Sequence, residues 1–141
     1  MTDQQSARDE VIDGLVQTSF TVMAVLSQVA AAHELSLTQL RVLAILRDRE
    51  PKIAELAAHL GLERSSVSGL IDRSVSRGLV RRVPSAEDGR VVRVALTEAG
   101  QRFAVDLADE FADRFGPMID HLGRADQHRL RTLLDRLTPA E

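Results

Sequence analysis

The residues best suited to chemistry lie in one stretch, Glu63 to Gly78, with the sequence ERSSVSGLIDRSVSRG. At about 100° per residue, Val67, Leu70, Ile71 and Ser74 fall on one side of a helix. Ser65, Ser68, Gly69, Asp72 and Ser76 fall towards the other, with Arg64 and Arg73 near its edges. Exposed helical positions ordinarily carry long helix formers such as Glu, Lys or Gln. Here they carry short hydroxyls and a glycine, and a mid-helix Gly costs about 1 kcal/mol relative to Ala. Small side chains let a second surface come close, and guanidinium groups at the rim suit phosphates. The pattern fits a helix laid in a DNA major groove. A small-residue contact face against another helix is the competing reading of this stretch alone.

No catalytic constellation competes with it. The chain has no phosphate-binding loop, no Gly-rich dinucleotide turn and no His-Glu-x-x-His. A nucleophile elbow needs Gly two residues before and two after its Ser, but Ser66 and Leu70 flank Ser68 in this way. His33, His59, His121 and His128 have no chelating spacing, and there is no Cys to help them. The expectation is a protein that is not an enzyme and uses no cofactor and no metal. Absence of Cys also removes disulfides and thiol switches.

With 141 residues, 44% hydrophobic and 28% charged, the chain has the composition of one globular domain. Its net charge of −3 runs against nucleic-acid binding, but the charge is unevenly placed. From Gly61 to Thr97 there are seven Arg and four acids, a surplus of +3 that leaves −6 for the remainder. Phosphate attraction follows this local field. Counting consecutive apolar residues finds no run near the roughly 20 that span a bilayer. The polar, acidic N-terminus is unlike a signal peptide. The expected compartment is therefore the cytoplasm, with no membrane partner.

The flanking elements must position the Ser- and Arg-bearing helix. From about Asp9 to His33, Ile12, Leu15, Val16, Phe20, Met23, Leu26, Val29 and Ala30 recur at helical steps, and the residues before them are expected to fray. Val22, Ala24 and Val25 widen this apolar surface, so the helix calls for burial on more than one side, partly by a partner subunit. Ser36 and Gln39 form a capping box that opens a helix from Leu37 to about Arg49, ended by Pro51. A short helix, Lys52 to Leu60, stops at Gly61. With the helix closed by Gly78 it has the spacing of a helix-turn-helix. Residues 79–83 and 90–96 then alternate as a hairpin, with Asp88-Gly89 as a turn in which Gly supplies positive φ. Thr97 caps a long helix to about His121, bearing Phe103, Leu107, Phe111, Phe115 and Met118; Gly116-Pro117 marks a kink or break. A last helix runs from Ala125 to Leu137.

Taken together, Leu37–Leu43, Ile53–Leu60, Ser65–Arg73, Arg77–Val80, Ala86–Arg90 and Val94–Gly100 resemble, in order and spacing, the MarR family of bacterial winged-helix transcription regulators. The resemblance covers roughly Asp9 to Leu137. It implies a mainly α fold with a small two- to three-stranded β-wing: a winged helix-turn-helix domain at 35–97, a dimerisation helix at 1–34 and dimerisation helices at 98–141. It implies a cytoplasmic homodimer, most often a repressor, on a near-palindromic double-stranded operator. Arg64, Ser65, Ser66, Ser68, Gly69, Asp72, Arg73, Arg77 and Arg81 fall in the DNA-binding region, and Asp88 and Arg90 match the wing's Asp-x-Arg. Ser65 and Ser66 also fit plain capping, and Asp72 and Arg73 fit internal ion pairs. Release by a small aromatic or phenolic effector is a further implication, with Met23, His33 and Arg41 as guesses at its crevice. Gly69, where many relatives carry a larger residue, and Glu63, at the N-cap, depart from the pattern. The alternative function is a winged-helix protein-interaction module without an operator.

Overall fold

A computed structural model describes residues 2–138. The elements, in order, are α1 (Asp3–Ala32), α2 (Leu37–Leu46), α3 (Ile53–Leu60), α4 (Arg64–Ser76), β1 (Val80–Pro84), β2 (Val92–Leu96), α5 (Glu98–Ile119) and α6 (Arg124–Leu137). The mainly helical fold with a small β-wing is the expected one. The chain divides into two compact units, the first ending at Val105 and the second starting at Asp106.

In the first unit, α2 begins, and α3 begins and ends, for local reasons. The Ser36 hydroxyl accepts from the Gln39 amide at 3.1 Å, and the Gln39 side chain accepts from the Ser36 amide at 2.8 Å. This is the expected capping box. The Glu55 carboxylate accepts from the Lys52 amide at 3.3 Å and opens α3. Gly61, at φ 66°, closes it in the left-handed region. The core gathers Val29 and Ala30 of α1, four residues of α2, Leu56 and Ala57 of α3, and Val67, Leu70 and Ile71 of α4. On α2 the buried set is Leu40, Val42, Leu43 and Leu46.

Strands β1 and β2 pair antiparallel, Val80 opposite Leu96 and Pro84 opposite Val92. A third strand is reduced to one bridge, Lys52 to Arg93, reinforced by the Val94 amide donating to Pro51 O at 2.9 Å. The buried Val94, Ala95 and Leu96 tie the wing to the helices, as a hairpin that is marginal alone requires.

Several expectations need correction. α1 starts at Asp3 rather than fraying to residue 10, because the Thr2 hydroxyl accepts from the Gln5 amide at 3.4 Å. α2 stops three residues early, at Leu46. Gly89 has no positive φ; the wing turn is instead set by the Asp88 carboxylate. Pro117 lies inside the last turn of α5 and does not end it. Finally, α1 is long and apolar enough, by length and composition, to cross a bilayer. The count of consecutive apolar residues failed because Gln, Ser and Thr interrupt the stretch from Gly14 to Ala32, which carries no charge.

In the second unit, α5 passes into α6 through a turn held by Gln127, whose side-chain amide donates to Leu122 O at 2.9 Å. The Phe111 and Phe115 rings lie 6.1 Å apart. No residue of α6 is buried, and Leu133 and Leu137 are at least half exposed.

Candidate nucleic-acid interface

The face of α4 that packs is the one its periodicity indicates: Val67, Leu70, Ile71 and Ser74 are all buried. The polar Ser74 is satisfied within its own helix, its hydroxyl donating to Leu70 O at 3.0 Å. On the other side Arg64, Ser65, Ser66, Asp72, Arg73 and Ser76 are exposed, while Ser68 and Gly69 are half-buried. Glu63 occupies the N-cap without a side-chain hydrogen bond. The first-turn amides beside Ser65 and Ser66 therefore have no side-chain cap there, a disposition that favours anions.

Gly69 has room for a side chain: a Cβ there would meet only Arg73 Nη1, at 3.5 Å. Gly69→Ala is thus expected to raise folding stability by about 1 kcal/mol through helix propensity. The same methyl lies on the face that the sequence reading turns towards DNA, and on that reading it is expected to weaken binding. A urea titration beside a DNA titration checks both signs. Unchanged or tighter binding would remove the close-approach reason for this glycine.

The arginines sort by what they already hold. Arg64, Arg73 and Arg81 are exposed, and their side chains have no hydrogen-bond or ion-pair partner among the described residues. The Arg90 side chain is 93% exposed, with Nε 3.3 Å from Asp88 Oδ1. The same oxygen accepts from the Arg90 amide at 3.0 Å, and the Val91 amide donates to Asp88 O at 2.9 Å. Asp88 thus shapes the turn and steers the guanidinium it leaves in solvent. Others are engaged internally. Arg82 pairs with Asp72, the internal alternative weighed for that carboxylate. Arg93 donates to Glu50 O at 3.0 Å. Arg77, placed among the DNA-binding residues by the sequence, donates to the carbonyls of Glu34 and His33.

Three shallow clefts join these groups. One of about 390 Å³ is lined by Arg64 and Ser68 of α4, Arg90 and Val91 of the wing, and Lys52 and Ile53. It brings helix and wing residues together. Lys52, the chain's sole Lys, was missed by sequence reasoning, although that uniqueness was a usable signal. A second, of about 450 Å³, includes Ser36, Ser65, Ser66, Gly69 and Arg73. A third, of about 460 Å³, includes Glu34, Gln39, Asp72, Arg73, Ser76 and Arg77. None of the three is lined by Met23, His33 or Arg41. His33 sets its ring edge-on to Phe103 at 5.2 Å. Arg41 donates to His59 O at 3.2 Å. Met23 lies exposed on α1.

A helix-turn-helix with an uncapped, Ser-lined second helix and an arginine-tipped hairpin defines a winged helix-turn-helix DNA-binding regulator. Residues 33–91 match the MarR family profile. The chain is 31% identical over 103 residues to the HTH-type transcriptional repressor IacR of Pseudomonas putida, covering 72% of this chain and 62% of that protein. With the HTH-type transcriptional regulator FarR of Neisseria gonorrhoeae it shares 25% over 138 residues, 97% of this chain and 94% of the relative. The crystal structure of NadR in complex with 4-hydroxyphenylacetate superposes with a TM-score of 0.78 at 25% identity, covering 93% of this chain and 94% of that one. Over residues 33–91 the chain matches the MarR family of transcription regulators.

Proposed function

We propose that this chain is a cytoplasmic, homodimeric repressor that holds a near-palindromic operator with Ser65–Arg73 in the major groove and Arg90 in the adjacent minor groove. The observation carrying this reading is the cleft that brings Arg64 and Ser68 of α4 beside Arg90 of the wing. A pre-oriented Arg suits a narrow, electronegative groove. Two-fold symmetry sets the two recognition helices about 34 Å apart, one turn of DNA. The dimer halves are residues 1–34 and 98–141, flanking the DNA-binding domain at 35–97. The exposed apolar side chains of α1 and α6 support this role. A small phenolic acid is the proposed effector, by analogy with the ligand of NadR. To act, it must bind the DNA-incompetent spacing more tightly than the competent one.

Selection of bound duplexes from a random pool tests the reading: an inverted repeat with half-sites about ten base pairs apart is expected. Failure to enrich any sequence, with salt-insensitive retention, would favour the protein-interaction module. On the selected duplex, Arg81→Ala should lower the slope of log K against log salt by about 0.9 for each phosphate it no longer neutralises. Fluorescence anisotropy from 50 to 200 mM salt reads this directly. An unchanged slope removes Arg81 from the phosphate-binding residues.

A further inference from the structure

The end of α4 is tied to two other helices at once. Arg77, its C-cap, donates from Nη1 to Glu34 O and from Nη2 to His33 O, both at 2.9 Å. These carbonyls end α1: His33 is that helix's C-cap, and Glu34, at φ 56°, turns the chain away in a conformation side chains rarely adopt. A long helix carries partial negative charge at this end. α1 has no basic residue in its own last turn, and Arg77 supplies the cation from 43 residues further along the chain. On the following residues, Gly78 O accepts from the Thr97 hydroxyl at 2.6 Å and Leu79 O from the Thr97 amide at 3.0 Å. Residues 77–79 therefore fasten the recognition helix both to the end of α1 and to the start of α5.

We infer that Arg77 is a positioning residue for DNA binding: by bridging the end of α4 to the end of α1 it sets the angle of the recognition helix, and it does not contact phosphate. The inference rests on the DNA-binding dimer reading above. Two of the five N–H donors of the Arg77 guanidinium are committed to these carbonyls, and swinging the group out to a phosphate would release them and the Glu34 turn. Arg73, one helical turn earlier, is exposed and its side chain has no hydrogen-bond or ion-pair partner among the described residues, so that side chain can take the role without cost to the fold. The recognition helix is about 20 Å long at 1.5 Å per residue, so a few degrees of play at its tied end displaces its other end by more than the tolerance of a hydrogen bond. Loss of the tie weakens binding through orientation and leaves the number of neutralised phosphates as it was.

The test uses the full-length protein and its selected duplex, titrated by anisotropy across a salt series at a temperature where circular dichroism shows each variant folded. Arg77→Ala is expected to bind about tenfold more weakly with the wild-type salt slope, in contrast to Arg81→Ala, whose slope falls. A slope reduced as in Arg81→Ala would make Arg77 a phosphate ligand and overturn the inference. Wild-type affinity in folded Arg77→Ala would reduce the tie to a stability element and overturn it too. Arg77→Lys decides the matter if the alanine variant does not fold. Its single nitrogen serves the two carbonyls less well, so a partial loss at unchanged slope is expected, and wild-type affinity overturns the role. If the wild-type protein itself shows no salt-dependent, sequence-specific binding, the DNA reading fails and this role with it. The other adverse outcomes remove the Arg77 role alone.

Discussion

Gly100→Ala is expected to destabilise the protein by about 3 kcal/mol, the sum of overpacking and weakened hydrogen bonds, and to lower Tm by roughly 10 °C. Helix propensity alone predicts the opposite sign, since Gly100 lies in the first turn of α5. Space decides. A Cβ on Gly100 would stand 2.0 Å from the Leu79 carbonyl oxygen, 3.0 Å from its carbon and 3.3 Å from Leu96 Cδ2. The first two are backbone atoms, and that backbone is held on every side. The Leu79 amide donates to Ser74 O at 3.1 Å, Leu79 O accepts from the Thr97 amide, and Gly78 O accepts from the Thr97 hydroxyl. Thr97 Oγ1 also accepts from the Gly100 amide at 2.9 Å, fixing the start of α5. Making room for one methyl group means moving the turn that ends α4. Thermal melts of Gly100→Ala and Gly69→Ala give the cleanest comparison: one substitution, two helical positions, opposite expected signs. A Gly100→Ala protein melting at or above wild type would show that this turn yields easily.

Residues 96–100, Leu-Thr-Glu-Ala-Gly, carry the family resemblance, yet the reason for their glycine was not legible in the sequence. Its neighbour, Leu79, lies 21 positions earlier, and only the closed wing brings the two together. What the sequence did yield was governed by period. The four inward residues of α4 and the cap at Ser36 are local patterns, and the structure places them as the patterns require. Errors arose where a local rule had a rival. Asp88-Gly89 reads as a glycine turn, but the Asp carboxylate shapes the same turn through the Arg90 amide, so Gly89 never needs the left-handed region. The start of α1 lacks apolar periodicity and so carried no signal, although Thr2 caps it. Arginine roles were the least legible. Arg73, Arg77, Arg81 and Arg82 are alike as letters, and whether each faces solvent, a carboxylate or a carbonyl depends on partners as far as 44 residues away.

The largest functional effect is expected from the apolar stripe of α1. Val11, Ile12, Leu15, Val16, Phe20 and Met23 recur at helical steps and stay exposed, Phe20 to 67%. A soluble monomer rarely leaves so continuous an apolar surface uncovered, and such a patch marks an interface. A second copy of the same helix is the self-complementary partner that two-fold symmetry offers. A pair of Glu residues in this stripe would place like charges against each other across the axis and strand them in an apolar seam. Leu15→Glu with Phe20→Glu is therefore expected to give a folded monomer by light scattering, with most helical ellipticity retained. In detergent-free buffer the wild type is expected to run as a dimer. Operator affinity should then fall by at least about a hundredfold, because the second half-site is no longer engaged at a high effective concentration. The residual binding should show about half the wild-type salt slope, since one subunit neutralises half as many phosphates. A double variant that remains dimeric would move the interface away from α1. A monomeric variant with undiminished operator affinity would show that each subunit reads DNA independently, leaving the spacing of the recognition helices without a function.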